Sequence, residues 1–186
     1  AHRDDTSQPD SLNYSIEIIV DGFDIVKYPQ LEADDIMGIE ASAGEAIAVT
    51  IDKDLRCVPG WHWNPDKEKK PVCISEEDAD RFFYEQWMTG DTTDNIPGLW
   101  KVGPKKAQKF LKETPREDWV KEIQEMYRVE ERPEHKGRAG LDPIRFCKAM
   151  AWCVRILRHE EYDKSSQFIN LWNFGYKGDK NAIQMF

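Results

Sequence analysis

Residues 46–54, Ala46-Ile47-Ala48-Val49-Thr50-Ile51-Asp52-Lys53-Asp54, decide the fold. The first six form a nearly continuous apolar run. Such a run suits a strand covered on both faces, as in a parallel sheet. Two aspartates follow at spacing i, i+2. On an extended chain both side chains point the same way. Like charges side by side at the end of a hydrophobic strand repel each other unless a cation neutralises them. In open α/β sheets, ligands bind outside the carboxyl ends of the strands.

Upstream, Glu32 to Ala41 reads as a helix with Ile36, Met37 and Ile39 on its buried side, and Phe23 to Tyr28 reads as a short strand. Strand, helix and strand at this spacing make a βαβ unit. Pro9 to Val20 carries Leu12, Ile16, Ile19 and Val20 at helical spacing. Downstream, Pro59 to Pro71 is a turn-rich loop or hairpin holding Trp61 and Trp63. Ser75-Glu76-Glu77-Asp78 opens a helix with Ser75 as N-cap; it reaches about Thr89 and buries Phe82, Phe83 and Trp87. Helices are expected from Pro104 to Leu111, Trp119 to Tyr127 and Pro143 to His159, with a charged connection at Glu130 to Gly140. The aromatic tail beyond Tyr162 is poorly patterned, and Trp152 and Trp172 are expected in the core.

Seven carboxylates fall in three groups at the expected boundaries: Glu32, Asp34 and Asp35; Asp52 and Asp54; Asp91 and Asp94. A helix N-terminus or a turn explains acids at any one of these places. Three such groups in one half of the chain are poorly explained that way. Ligand sets made only of oxygen suit Mg²⁺ or Mn²⁺. Two such ions roughly 3.5–4 Å apart form the phosphoryl-transfer arrangement.

The third group runs into Ile96-Pro97-Gly98-Leu99-Trp100-Lys101-Val102-Gly103-Pro104-Lys105-Lys106. Gly98 and Gly103 would let the backbone approach a phosphate. Pro104 would start a helix whose free N–H groups face it. Lys101, Lys105, Lys106 and Lys109 would add salt-dependent affinity without sequence readout.

Bulk composition bounds these readings. A chain of 186 residues with 40% hydrophobic and 33% charged residues can build one core, with at most a small added lobe. No run approaches the roughly 18 apolar residues of a membrane helix. The net charge of −9 is unusual for a nucleic-acid binder. Without the seven grouped carboxylates that charge would be −2, and two divalent cations alone would bring it to −5. Cys57, Cys73, Cys147 and Cys153 form no C-x-x-C pair and read as reduced, buried thiols of a cytoplasmic protein. The polar start Ala1-His2-Arg3-Asp4-Asp5 has no apolar h-region.

Glu32-Ala33-Asp34-Asp35, Asp52-Lys53-Asp54, Gly90-Asp91-x-x-Asp94-Asn95-Ile96-Pro97-Gly98 and Val102-Gly103-Pro104-Lys105, in this order, resemble the flap endonuclease and 5′→3′ exonuclease family, above all its phage-encoded members. The likeness covers residues 1–115 well and the rest weakly. It implies an α/β fold: a parallel-sheet, PIN-like core in residues 1–90, a helix–three-turn–helix element gripping duplex backbone in 91–115, and a helical C-terminal region in 116–186. It implies catalytic and metal-site roles for Glu32, Asp34, Asp35, Asp52, Asp54, Asp91 and Asp94. It implies DNA binding by Gly98, Gly103, Lys105 and their neighbours, with a K⁺ held by carbonyls of the turn. Arg3 resembles the arginine of the family's arch segment.

Family members also carry metal-site aspartates and an arch lysine before this point, beginning on a first sheet strand. The chain is therefore expected to be the C-terminal portion of such a nuclease, or one half of a split enzyme. The expected activity is two-metal hydrolysis of DNA near 5′ ends, flaps or nicks, in the host cytoplasm if phage-encoded. RNA–DNA hybrids are a further expected substrate, and no membrane partner is expected. One rival is a non-catalytic DNA-binding subunit that completes its site with a separate N-terminal chain. The other is a PIN-type ribonuclease, which the lysine-rich turn disfavours.

Overall fold

The computed structural model describes residues 10–132 and 141–174. Contacts divide the chain into residues 1–30 and residues 31–186. Of the first unit, helix α1 spans Asp10–Gly22, as its spacing predicts. Leu12, Ile16, Ile19 and Val20 of its apolar stripe are exposed. Phe23 to Tyr28 is not a strand; it is irregular, with Phe23, Ile25 and Val26 exposed. An extended segment counts as a strand only when its N–H and C=O groups are paired, and no described strand pairs with this one.

The second unit is mixed α/β, with helices around small sheets. Helix α2 (Ala33–Ser42) leads to strand β1 (Ile47–Val49). A 3-10 turn at Asp54–Cys57 then leads to β2 (Gly60–Trp63) and β3 (Val72–Ile74). β1 runs parallel to β2, with Ile47 opposite Trp61 and Val49 opposite Trp63, while β2 and β3 are antiparallel. The Trp61–Trp63 segment is thus half of a hairpin.

The apolar run at 46–51 is not buried on both faces. Ala48 faces the core, but Ile47, Val49 and Ile51 are exposed. Apolar content reports what a strand tolerates on each side, not what covers it. The following acids do not sit on an extended chain either. Asp52 Oδ1 accepts a 2.8 Å hydrogen bond from the Asp54 N–H and so turns the chain into the 3-10 segment.

Helix α3 (Glu76–Thr89) is the spine of the core. Ser75 caps it, its Oγ accepting from the Asp78 N–H at 3.1 Å. Its buried stripe is Ala79, Phe83, Gln86, Trp87 and Met88, with Phe82 half-buried. Trp87 donates through Nε1 to the Cys147 carbonyl at 2.9 Å, and its own carbonyl accepts from Tyr127 Oη at 2.6 Å. Trp172 meets Trp87 and Phe83 edge-on, at 5.7 and 5.1 Å between ring centres. Trp152 also packs on this core, so both tryptophans do what their size predicts.

A short hairpin, β4 (Gly90–Asp91) with β5 (Ile96–Pro97), follows α3 directly. Gly90 has φ of +69°, and a Cβ there would collide with the Ile96 carbonyl and the Gly98 N–H. Gly98 presses equally closely on the backbone of Thr89 and Gly90. After the hairpin come α4 (Pro104–Glu113), α5 (Trp119–Val129) and α6 (Pro143–Cys153).

Helix α6 stops at Cys153 instead of continuing to His159. Val154 is the C-cap, and the next residues leave helical geometry. Arg155 pairs with Glu161 at 2.8 Å and Arg158 with Asp80 at 2.8 Å, both guanidiniums buried. These ion pairs, with the Asp35 carboxylate accepting from the Leu157 N–H at 3.0 Å, fix residues 155–158 in an irregular path. The tail forms a second small hairpin, β6 (Tyr162–Asp163) with β7 (Phe168–Ile169).

All four cysteines are free. Cys57 and Cys147 are buried as expected, but Cys73 and Cys153 are exposed.

Candidate active site

One cleft in the second unit is lined by Glu32, Asp34, Asp35, Asp52, Asp54, Asp91 and Asp94, all seven carboxylates picked out in the sequence. Three backbone devices bring them there. Helix α2 presents Asp34 and Asp35 in its first turn, with Glu32 at the N-cap. The turn after β1 presents Asp52 and Asp54. The β4–β5 hairpin presents Asp91 and Asp94. Gln86 from α3, Ile96 from β5 and residues 153–156 at the end of α6 and just beyond it complete the walls.

The tightest convergence is that of half-buried Asp54, buried Asp91 and exposed Asp94. One carboxylate oxygen from each lies within 4.8 Å of the others. Asp91 is only 7% exposed. Its Oδ2 accepts from Lys53 Nζ at 2.8 Å and its Oδ1 from the Thr93 N–H at 2.7 Å. These hydrogen bonds, the lysine's first, hold its carboxyl below the usual range. The same contact raises the Lys53 ammonium. Lys53 Nζ also lies 3.7 Å from Asp54.

Asp54 and Asp34 behave oppositely. Burial raises the Asp54 carboxyl most, and Asp52 and Asp91 add to the rise; Lys53 and the Gln86 hydrogen bond act against it. Burial also raises Asp34, followed by the charges of Asp52, Glu32, Asp35 and Asp54. Such a cleft stores mutual repulsion that a bound cation relieves. The residues present fit a hard divalent ion: every charged ligand is oxygen, and at least three converge on one point.

Lys53 and Gln86 are members of this site that the acid pattern does not reveal. Gln86 had a signal of its own, being the one polar residue on α3's buried stripe. Nothing local marks Lys53, whose ammonium reaches a carboxylate 38 residues away.

The candidate DNA-binding residues gather beyond the hairpin. Lys101, Gly103, Lys105, Lys106 and Lys109 are all exposed, whereas Gly98 is buried. Lys101 has φ of +60°, and its carbonyl accepts from Lys106 Nζ at 2.9 Å. Gly103 caps α4 and Pro104 is its first residue. Glu130 and Arg132 clamp the turn from the far side. Glu130 Oε2 accepts from the Trp100 N–H at 2.8 Å, and Arg132 donates to the Gly98 carbonyl at 2.6 Å. Arg3 lies outside the described residues. Among the described residues no helix is long and apolar enough to cross a membrane.

An α/β scaffold that converges seven carboxylates on one cleft, beside a lysine-bearing helix, defines a class of acid-centred proteins suited to divalent metals. Comparison with known proteins finds similar chains. The chain is 26% identical over 181 residues to the exonuclease of Escherichia phage T7, a match covering 81% of this chain and 58% of the phage protein. It is 26% identical over 211 residues to the exodeoxyribonuclease of Enterobacteria phage T3, covering 92% of this chain and 66% of that one. It is 33% identical over 95 residues to DNA polymerase I of Rhizobium leguminosarum, covering 44% of this chain and 9% of the polymerase. No family model and no solved structure matches it. The chain is thus similar to phage exonucleases over most of its length, and it spans about three fifths of the length of these relatives.

Proposed function

We propose that this chain carries the metal centre of a structure-selective 5′ nuclease that hydrolyses DNA phosphodiesters. The observation that carries the reading is the convergence of Asp54, Asp91 and Asp94 within 4.8 Å, in a cleft lined by four further carboxylates. The names of the phage relatives, an exonuclease and an exodeoxyribonuclease, support it.

On this reading Asp54, Asp91 and Asp94 hold one Mg²⁺ or Mn²⁺, and Glu32, Asp34, Asp35 and Asp52 hold or hydrate a second. Bound there, the ions would supply Lewis-acid stabilisation of the attacking and leaving oxygens of an in-line displacement. The protein's own part is positioning. Thr93 and Lys53 fix the Asp91 carboxylate, and Gln86 fixes Asp54. The fold is a PIN-like core in residues 1–90 followed by a helix–three-turn–helix in residues 91–115, to which α4 belongs. Within residues 91–115, Gly103 and the N-terminus of α4 approach a duplex phosphate, and Lys101, Lys105, Lys106 and Lys109 neutralise its neighbours. Turn carbonyls near Lys101 are the place for a K⁺. Residues 116–186 brace this element through Glu130 and Arg132.

The test is cleavage of labelled duplexes bearing a 5′ flap, a nick or a recessed 5′ end, and of an RNA–DNA hybrid. The chain is assayed in Mg²⁺ alone and with the upstream segment of a relative supplied in trans. Cleavage that vanishes in Asp91→Asn, while duplex binding persists in Ca²⁺, is the expected result. Duplex binding without cleavage under either condition would overturn the nuclease reading in favour of a DNA-binding subunit.

A further inference from the structure

Gln86 stands on the buried stripe of α3 between Phe83 and Trp87, where an apolar side chain would pack as well. It is 8% exposed. Its Nε2 donates to Asp54 Oδ1 at 2.6 Å. Its Oε1 is buried with no hydrogen-bond donor among the described residues. The same side chain lines the cleft of Asp54, Asp91 and Asp94. Turning the amide over would only set Oε1 against the Asp54 carboxylate, two acceptors facing each other. The orphaned oxygen is therefore built into the arrangement, and a buried carbonyl left without a donor is unfavourable.

We propose that Gln86 is a positioning residue of the metal centre: its Nε2 fixes the Asp54 carboxylate, and its Oε1 accepts a hydrogen bond from the hydration shell of a divalent cation held by Asp54, Asp91 and Asp94. The inference rests on the metal-centre reading above. A magnesium-type ion keeps several waters, whose hydrogens need acceptors. Asp54 and Asp91 already spend one oxygen each on Gln86 and Thr93, and Lys53 occupies the second oxygen of Asp91. A neutral acceptor in the wall adds a hydrogen-bonding site without adding a further negative charge to a cleft already lined by seven carboxylates. Partners in this outer position typically account for 10–100-fold in metal affinity.

Two measurements on wild type, Gln86→Met and Gln86→Leu decide it: calorimetric titration with Mn²⁺, and thermal unfolding in chelator. Methionine matches the length and removes both polar ends; leucine removes them on a shorter side chain. We expect Gln86→Met to unfold in chelator at or above the wild-type midpoint, yet to bind Mn²⁺ about 10–100-fold more weakly. Gln86→Leu should bind Mn²⁺ as weakly as Gln86→Met. Unchanged affinity in a folded Gln86→Met would overturn the proposal and leave Gln86 a packing residue. If Gln86→Met does not fold, Gln86→Leu takes its place, and unchanged affinity there overturns the proposal. Failure of the wild type itself to bind Mn²⁺ would sink the metal-centre reading, a result distinct from either of these.

Discussion

Asp54→Asn should stabilise the metal-free protein. Asp54 has two carboxylate neighbours, Asp91 and Asp94, with oxygens within 4.8 Å. At that separation each like-charge pair costs about 0.9 kcal/mol with the dielectric of water, and roughly 3.5 kcal/mol at an effective value of 20. Lys53, at 3.7 Å, offsets about one of the two. One repulsion and part of the burial cost remain, so removing the charge should add about 1–2 kcal/mol. For a chain of this size that is a rise of about 2–8 °C in melting temperature. The asparagine carbonyl can still accept from Gln86, so that hydrogen bond need not be lost, and the pairing with Lys53 given up is already counted above. The sign with pH follows from the raised carboxyl of Asp54. A raised folded-state value means the destabilisation is present at neutral pH and is lost as pH falls through that value. The two proteins should therefore converge in stability in acid. Saturating Mg²⁺ should reverse the order, because wild type gains ligand-linked stability that the variant lacks. Differential scanning calorimetry in chelator and in Mg²⁺, from neutral to acid pH, reads all three effects. An Asn variant less stable than wild type in chelator at neutral pH would refute the reasoning.

Other perturbations separate scaffold from site. Trp87→Ala should cost about 3–5 kcal/mol in denaturant unfolding, since it empties the centre of the core and leaves the Cys147 carbonyl without its donor. Gly90→Ala should cost about 2–4 kcal/mol, because the φ is left-handed and a Cβ meets hairpin backbone. Gly103→Ala, with open space around it, should cost no more than about 1 kcal/mol, from the poorer N-cap alone. Replacing Lys105 and Lys106 together by Gln should leave the melting temperature alone but weaken duplex binding. The slope of log affinity against log salt, followed by fluorescence anisotropy, should fall by about 2 in magnitude.

What the sequence discloses depends on how far each feature reaches. Helices α3, α4 and α5 are legible because caps and apolar spacing are local: Ser75 before the acids, Pro104 at a first position. α6 is legible only to Cys153, because its end is set by ion pairs from Arg155 and Arg158 to residues that sequence spacing does not bring near. The strand reading at 23–28 fails since apolar residues alone do not provide a pairing partner. The hairpins at Gly90 and Tyr162 are two residues a side, too short for any periodic signal. At the site, seven carboxylates stand out because like charges cluster in the chain itself. Gln86 and Lys53 do not, because they reach across 32 and 38 residues. The same distinction holds for the glycines. Gly98 and Gly103 look alike in sequence, yet one is held by the hairpin backbone and the other lies open to solvent.

The acidic total and the lysine-rich face are two consequences of one layout. Burial, with neighbouring charges adding to it, raises Asp34 and Asp54, so these two carboxylates oppose folding at neutral pH until a cation arrives. That opposition has to be carried by something rigid. The carriers are the elements that aim the acids. α3 ends in the Gly90 hairpin that presents Asp91 and is anchored by Trp87, Tyr127 and Trp172. The 155–158 segment is locked by buried Arg155 and Arg158 and grips Asp35 through the Leu157 N–H. The lysines of α4 follow the same hairpin, and the turn between them is held by Glu130 and Arg132 through the Trp100 N–H and the Gly98 carbonyl. A cation entering the cleft therefore lowers the local negative charge beside the surface that would receive phosphate. Metal binding and backbone binding should favour each other, and the coupling should weaken in Asp91→Asn without any change in the lysines themselves.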